Sequence, residues 1–181
     1  KENETVQPPY EIEIGNQGSI SKRILENPEM VHIKYIVEQA LQQWCDRIFI
    51  PLHGDKFKLK ITQSWLNYTK PGQHHRPHHH PNSIVSGAIY IVADQQYDII
   101  KFHSDIKSPY HVQPREFNEF NSSEVNVNIT KGDMVLFPSN LTHSVPETTQ
   151  NYTRISLAFN AFFDGTLGIS SDIPNYIEYN N

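Results

Sequence analysis

The chain has 181 residues, with 20 acidic against 15 basic side chains and a formal net charge of −5. This length suits one domain with a hydrophobic core, which we place at residues 1–181. The negative charge argues against a nucleic-acid binder, since such proteins carry a basic face. A single cysteine, Cys45, excludes an intrachain disulfide framework and is expected to be a buried thiol. No apolar run reaches the ~20 residues that span a membrane, so we expect a soluble, cytoplasmic protein.

The first quarter of the chain predicts a short strand and one helix. Residues 10–14 alternate apolar and charged side chains, which suits an edge strand. Residues 27–48 are typical of a helix, because Asn27 can cap it, Pro28 suits its first position and Glu29 its first turn. Its apolar residues recur at roughly helical spacing: Val31, Tyr35, Val37, Leu41, Trp44 and Ile48. We expect this stripe to pack on a sheet.

From residue 57 the apolar period changes to two, which indicates strands. The predicted strands cover residues 57–62 continuing to 68, 86–92, 99–102, 125–129, 134–137 and 154–163. Residues 104–123 are polar and aperiodic, and predict either a mobile lid or a poorly ordered insertion. Many short strands after one helix predict a mainly β (α+β) fold, an antiparallel barrel or jelly roll. The helical support would cover about residues 20–50, the barrel about 57–163 and a tail 164–181.

Residues 74–80 contain five of the ten histidines of the chain. Alternate residues of an extended segment project to one side, so His78 and His80 can share a ligand while His79 points away. Imidazole suits iron, zinc, copper or nickel. Two ligands do not make a tight site, so a further group must come from elsewhere. The alternative is a solvated loop that binds metal adventitiously.

The proposed downstream partner is His143, which follows an apolar strand that ends at Pro138. Eleven residues later a further strand begins at Arg154, and period two places Arg154 and Ser156 on one face. A guanidinium inside a barrel mouth can hold a carboxylate through two hydrogen bonds. The alternative is a solvent-facing arginine on an edge strand.

Three sequence blocks together resemble a known family. They read His-x-His-Pro-Asn-Ser-x-x-Ser-Gly-x-x-Tyr from residue 78, Gly-Asp-x-x-x-Phe-Pro-Ser-x-x-x-His-Ser-Val from 132, and Arg-Ile-Ser-x-x-Phe-Asn from 154. Over residues 61–163 the chain resembles iron(II)/2-oxoglutarate-dependent oxygenases, in a branch common in phage and marine bacterial genomes. Each block alone is weakly specific, but three in this order and spacing are a strong signal.

The resemblance implies a double-stranded β-helix with Fe(II) at its mouth. It implies a dioxygenase that uses O2 and 2-oxoglutarate, releases succinate and CO2, and hydroxylates a C–H bond of a peptide or small molecule. By the same resemblance, His78 and His143 match metal ligands. Arg154 matches the residue that grips the far carboxylate of 2-oxoglutarate, Ser156 matches its hydroxyl partner, and Tyr90 is a further candidate contact from its strand position.

One position departs from the family pattern, because His80 stands where the usual two-His, one-carboxylate site has its acid. Three interpretations stay open: His80 is the third ligand, Asp105 supplies a carboxylate, or the site has two protein ligands and a water. The competing functions are a non-catalytic, cupin-like barrel that binds metal or a small ligand, and a purely structural barrel. The sequence does not fix the oligomeric state.

The loop of residues 104–123 is expected to border the substrate pocket. It carries aromatic and basic side chains that suit a peptide, a base or a small acid: Tyr110, His111, Arg115, Phe117 and Phe120.

Overall fold

The computed structural model describes residues 5–6, 15–49, 58–104, 114–118, 121–167 and 177–179. The strand predicted at 10–14 and most of the 104–123 loop lie outside the described residues, as does most of the predicted tail.

The predicted N-terminal helix is confirmed, with the expected cap. The Asn27 side chain accepts a hydrogen bond of 3.0 Å from the backbone N–H of Glu29. A 3-10 turn at Pro28–Met30 leads into helix α1, Val31–Trp44, which continues as a π-helical segment, Cys45–Phe49. The cap satisfies one of the backbone donors that a helix leaves free at its start.

The stripe that α1 buries is narrower than predicted. Val37 and Leu41 are buried, and Cys45 at the start of the π-helical segment continues this line at a spacing of four residues. Val31 and Tyr35 are 57% and 61% exposed, because at ~100° per residue they lie roughly 120° and 160° around the helix from Val37. The expected burial of the Cys45 thiol is confirmed.

Within the described residues, eleven strands form two antiparallel sheets. Their bounds are β1 Thr5–Val6, β2 Gln17–Ser19, β3 Lys58–Thr69, β4 His75–His78, β5 Val85–Val92, β6 Ile99–His103, β7 Glu124–Asn128, β8 Met134–Pro138, β9 His143–Val145, β10 Arg154–Leu167 and β11 Ile177–Tyr179. The larger sheet has the order β1-β2-β3-β10-β5-β8, with β11 paired to β10, and the smaller has the order β4-β9-β6-β7. Side chains of both sheets line a common cavity. This is the predicted jelly-roll architecture, a double-stranded β-helix with a helix packed outside.

Strand β10 lies between β3 and β5, and its two faces have different surroundings. Leu157 and Phe159 are fully buried in a core that includes Val37 and Leu41 of α1. The alternate residues Arg154, Ser156, Ala158 and Asn160 line the cavities on the other face. Period two therefore gives the sheet one face for packing and one for the candidate site, as predicted.

A second hydrophobic cluster fills the space between the sheets. It contains Tyr90, Ile100, Ile129 and Phe137. Phe137 contacts the ring of His143, with centroids 4.6 Å apart, so this core supports the candidate site from below. Among the described helices, none combines the length and apolarity needed to cross a membrane.

Candidate metal and co-substrate site

Neighbouring strands of the smaller sheet bring the predicted histidines together. His78 on β4 is the register partner of His143 on β9. His80 follows β4, and its backbone N–H bonds to Ser139 O at 2.8 Å. The chain then turns at Pro81 and at Asn82, whose φ of 58° is the left-handed conformation that asparagine tolerates.

The three rings offer nitrogens at a spacing that a metal ion can bridge. Ligand atoms of His78, His80 and His143 all lie within 4.8 Å of one another. The Nε2 atoms of His80 and His143 are 3.3 Å apart. Imidazole nitrogens bound about 2.1 Å from one divalent ion are separated by about 3.0–3.4 Å at octahedral or tetrahedral angles. The separation of this pair fits two ligands of one ion.

Backbone carbonyls fix the protonation of two of the rings. Nδ1 of His78 lies 2.7 Å from Arg76 O, and Nδ1 of His143 lies 3.0 Å from Leu141 O. A carbonyl only accepts, so each Nδ1 carries the proton and each neutral ring presents the Nε2 lone pair. This is the usual outer support of a metal-binding histidine.

Burial keeps His80 and His143 neutral. The pKa of His143 is lowered from 6.5 to about 3, chiefly by desolvation and then by the charge of His78. The pKa of His80 is lowered to about 4 for the same two reasons, in the same order. Neutral imidazole is the metal-binding form, so the donor set suits a divalent transition metal without proton release from these two rings.

Arg154 lines the same cavity as the histidines and is 5% exposed. Its Nη1 is 3.5 Å from Oδ1 of Asp98, and its Nη2 donates to Thr69 Oγ1 at 3.3 Å. Burial lowers the pKa of Arg154, and the charge of Asp98 opposes this. The arginine is therefore not the solvent-facing side chain of the alternative interpretation.

Asp98 anchors this arginine and was missed by sequence reasoning. It is 2% exposed and also accepts hydrogen bonds from the Tyr152 hydroxyl, at 2.5 Å, and from the Asp94 backbone N–H, at 3.0 Å. Burial and the bond to Asp98 raise the pKa of Tyr152 to about 12. One acidic residue before a predicted strand carries no local signal of such a role.

Seven candidate site residues were named from the sequence. Six of them line one cavity of about 50 Å³, called here the inner cavity: His78, His80, His143, Arg154, Ser156 and Tyr90. Asp105 lies outside the described residues. Tyr90 is the register partner of Ser156 and is 3% exposed. Burial raises the pKa of Tyr90, so its hydroxyl is protonated at neutral pH.

The same cavity has lining residues that the sequence analysis did not single out: Asn16, Trp65, Asn67, Thr69 and His75. The ring of His75 lies 4.3 Å from that of His78, and burial lowers the pKa of His75 to about 3. Continuing the alternation of residues 57, 59 and 61 would have placed Trp65, Asn67 and Thr69 on the core face with Leu59 and Ile61. The pairing of β3 with β10 shifts by one residue between Ile61 and Gln63, and this irregularity turns the later residues towards the cavity.

Solved structures of low sequence identity share this fold. The carbocyclase SnoK from nogalamycin biosynthesis, described as non-heme and alpha-ketoglutarate dependent, aligns with a TM-score of 0.63 and 11% identity over 91% of this chain and 70% of its own. The epimerase SnoN, solved with Fe3+, alpha ketoglutarate and nogalamycin RO, aligns with a TM-score of 0.60 and 10% identity over 88% of this chain and 68% of its own. A Pseudomonas putida prolyl-4-hydroxylase aligns with a TM-score of 0.57 and 16% identity over 88% of this chain and 78% of its own.

A curated relative matches part of the chain. It is the "Probable inactive acireductone dioxygenase 2" of Caenorhabditis briggsae, 29% identical over 79 residues. The match covers 44% of this chain and 46% of the relative, so it spans about half of that protein.

The family model described as "Putative 2OG-Fe(II) oxygenase" matches residues 63–160, more than half of the chain. The matched segment runs from the middle of β3 through the histidine cluster to Asn160 on β10. It includes His78, His143 and Arg154. The chain therefore belongs to the 2OG-Fe(II) oxygenase family.

Proposed function

We propose that the protein is an Fe(II)- and 2-oxoglutarate-dependent dioxygenase that hydroxylates a C–H bond of a peptide or small molecule. In the balanced reaction, substrate, O2 and 2-oxoglutarate give hydroxylated substrate, succinate and CO2. The observation that carries the proposal is one cavity lined both by three convergent histidine nitrogens and by the buried guanidinium of Arg154. When bound, iron supplies the redox chemistry that activates O2.

His78, His80 and His143 would hold the metal through ring nitrogens that the fold already orients. Asp105 as a carboxylate ligand, or a site with two histidines and a water, stay as alternatives. An all-histidine set is one charge more positive than a set with a carboxylate. It therefore attracts a dianionic co-substrate at least as strongly.

Arg154 would bind the far carboxylate of 2-oxoglutarate in the inner cavity. Asp98 and Thr69 hold the guanidinium, and the five N–H groups of an arginine leave donors for a ligand. The hydroxyls of Ser156 and Tyr90 border the same space and would orient the co-substrate. Burial strengthens these hydrogen bonds by excluding water.

The second candidate is a cupin-like barrel that binds metal or a small ligand without turnover. Two observations favour it: no carboxylate accompanies the clustered histidines among the described residues, and the curated relative is named inactive. A metal-binding barrel of that kind has no need of a buried arginine beside the metal cluster. The arginine is why we prefer the oxygenase.

An anaerobic titration of the Fe(II)-loaded protein with 2-oxoglutarate tests the proposal. We expect a visible charge-transfer band as the keto acid chelates iron. In Arg154→Ala the free energy of 2-oxoglutarate binding should be less favourable by ~2–5 kcal/mol, because a buried charge-paired contact is lost. The exposed Arg23 is the matched control, and Arg23→Ala should leave the band unchanged.

Two results would count against this function. Iron binding without a band would favour the binding barrel. Equal 2-oxoglutarate affinity in Arg154→Ala and wild type would remove Arg154 from the site. The phage and marine-bacterial branch, the single-domain organisation and the cytoplasmic location stay predictions.

A further inference from the structure

A second, larger cavity of about 420 Å³ opens beside the inner one. Arg154, Ser156 and Tyr90 line only the inner cavity, whereas Lys22 and Gln63 line only the outer one. Six residues line both: His75, His78, His80, Asn16, Trp65 and Asn67. Under the proposed function, the co-substrate occupies the inner space and the primary substrate enters through the outer one. The six shared residues form the passage where the substrate meets the histidine cluster.

Two asparagines in this passage have orientations that chemistry fixes. Trp65 Nε1, which can only donate, lies 3.1 Å from Asn67 Oδ1, so this atom must be the oxygen. Asn16 Nδ2 donates to the same oxygen at 3.0 Å, which fixes the orientation of Asn16 as well. The amide assignments therefore do not depend on telling nitrogen from oxygen by position alone.

This arrangement leaves the NH2 group of Asn67 and the carbonyl oxygen of Asn16 available in the passage. Within the described part of the chain, neither Asn67 Nδ2 nor Asn16 Oδ1 makes a hydrogen bond. Asn16 is 4% exposed as a residue, but its Oδ1 is not one of the fully buried atoms without a partner, and both asparagines line the two cavities. A ligand in the passage can therefore reach both groups and replace the water that they would otherwise bind.

We propose that the Asn16–Asn67 pair binds a secondary amide of the primary substrate, and this rests on the proposed function of the adjoining site. The amide C=O would accept from Asn67 Nδ2, and its N–H would donate to Asn16 Oδ1. A carboxylate cannot donate to Asn16 Oδ1, and an ammonium cannot accept from Asn67 Nδ2. An amide supplies both a donor and an acceptor in one flat group, so the proposed substrate is an amide-bearing molecule, either a polypeptide or a small secondary amide.

The neighbouring groups fit such a ligand. The Trp65 ring lies 5.9 Å from the ring of His80, and offers an apolar surface for the flat amide plane. An amide bound to the pair lies beside His80, so the carbons that flank it are the ones presented to the histidine cluster. Lys22 Nζ lies 5.6 Å from the Trp65 ring centroid, at the outer side.

The test uses the Ni(II)-loaded protein with saturating 2-oxoglutarate, which binds ligands without turnover. The probes are a pool of acetylated tetrapeptide dimethylamides built from residues without side-chain N–H or O–H groups, the same pool with every backbone N–H methylated, and N-methylacetamide. Binding is read by saturation-transfer NMR. We expect the first pool to bind and the methylated pool to bind at least about tenfold more weakly, since Asn16 Oδ1 then lacks a donor. If N-methylacetamide binds as tightly as the peptides, the substrate is a small secondary amide. If it binds more weakly, the substrate is a polypeptide.

Variants separate substrate from co-substrate. Asn67→Ala and Asn16→Ala should each weaken peptide binding about tenfold. The 2-oxoglutarate affinity, from the charge-transfer band of the Fe(II) form, should change by less than about twofold because Arg154 is untouched. Asn126→Ala, at an exposed position on β7, is the matched control and should match wild type in both readouts.

Three outcomes would overturn the inference. They are absence of peptide and amide binding to the wild type, equal binding of the two pools, or a loss of 2-oxoglutarate affinity in the variants as large as their loss of peptide affinity. A missing charge-transfer band in the wild type would instead refute the proposed function, while the peptide measurements on the Ni(II) form would still be readable.

Discussion

At the scale of single residues, His143 is the ligand whose loss should matter most. It is 5% exposed, and its Nδ1 is held by Leu141 O, so the Nε2 lone pair is fixed in direction. His143→Ala leaves two histidines and a buried gap. We expect Fe(II) binding to weaken by more than about 100-fold, beyond the 10–100-fold typical of an outer-shell change. Anaerobic equilibrium dialysis with Fe(II) measures this directly.

His79 provides the control for that experiment. It sits between His78 and His80 in the sequence, but its side chain is exposed and is not part of the cluster of three. His79→Ala should keep Fe(II) affinity within about twofold of wild type, as expected for a surface change away from the ligands. Wild-type affinity in His143→Ala would exclude that residue as a ligand.

The sequence identified these residues through spacing, and spacing has a clear limit. The His-x-His pattern predicts two side chains on one side of an extended segment, and His78 and His80 do converge. The carbonyl that accepts from Nδ1 of His143, and the Asp98 carboxylate beside Arg154, are set by loop geometry and by contacts between distant strands. No local pattern encodes either.

At the scale of elements, period-two alternation predicted the buried residues of β10 better than helical spacing predicted those of α1. Strand β10 has one face in the core and the other towards the cavities, and its alternation separated core from cavity residues as predicted. Helix α1 packs on one side only, and its exposed side also carries apolar residues such as Tyr35 and Ile36. Apolar spacing therefore found the helix, but it did not find which residues the sheet covers. The register of β4 on β9, which makes the histidine cluster, is a long-range contact outside any sequence window.

Gly87 on β5 leaves room for the side chains of its register partners in the same sheet, Phe159 on β10 and Leu136 on β8. A Cβ at this position would lie 2.5 Å from Phe159 Cζ and 2.7 Å from Leu136 Cδ2. Phe159 is fully buried, so its ring cannot move without disturbing the core shared with α1. We expect Gly87→Ala to lower the free energy of unfolding by ~1–3 kcal/mol, the usual cost of overpacking. Urea denaturation of the metal-free protein measures it.

Gly18 on β2 is the comparison. Its Cβ would meet Lys22 Nζ at 3.5 Å and Leu66 O at 3.9 Å, both ordinary contacts. Gly18→Ala should therefore change the unfolding free energy by no more than about 0.5 kcal/mol. Equal destabilisation by the two substitutions would mean that the close packing at Gly87 is not the cause.

At the scale of the whole molecule, the buried histidines tie stability to pH. The folded state holds His143 with a pKa of about 3, against 6.5 for an ordinary histidine. Below pH 6.5 the unfolded chain takes up a proton that the folded protein does not, so acid favours unfolding. The effect is absent above about pH 7 and grows as the pH falls towards 3. His75 and His80, whose pKa values are also lowered, act in the same direction.

We therefore expect the metal-free protein to lose stability between about pH 7 and pH 5. His143 alone accounts for about 2 kcal/mol over this interval, because 1.5 pH units below 6.5 correspond to that free energy. His143→Gln removes the ionisable ring, so the loss between the two pH values should shrink by about the same amount. Urea titrations of both proteins at the two pH values give this difference. An unfolding free energy that is equal at both pH values, or higher at pH 5, would mean that the cluster is not buried as neutral imidazole. The conclusion that the rings present Nε2 lone pairs to a metal would then also be wrong, since a protonated ring has no lone pair for a metal.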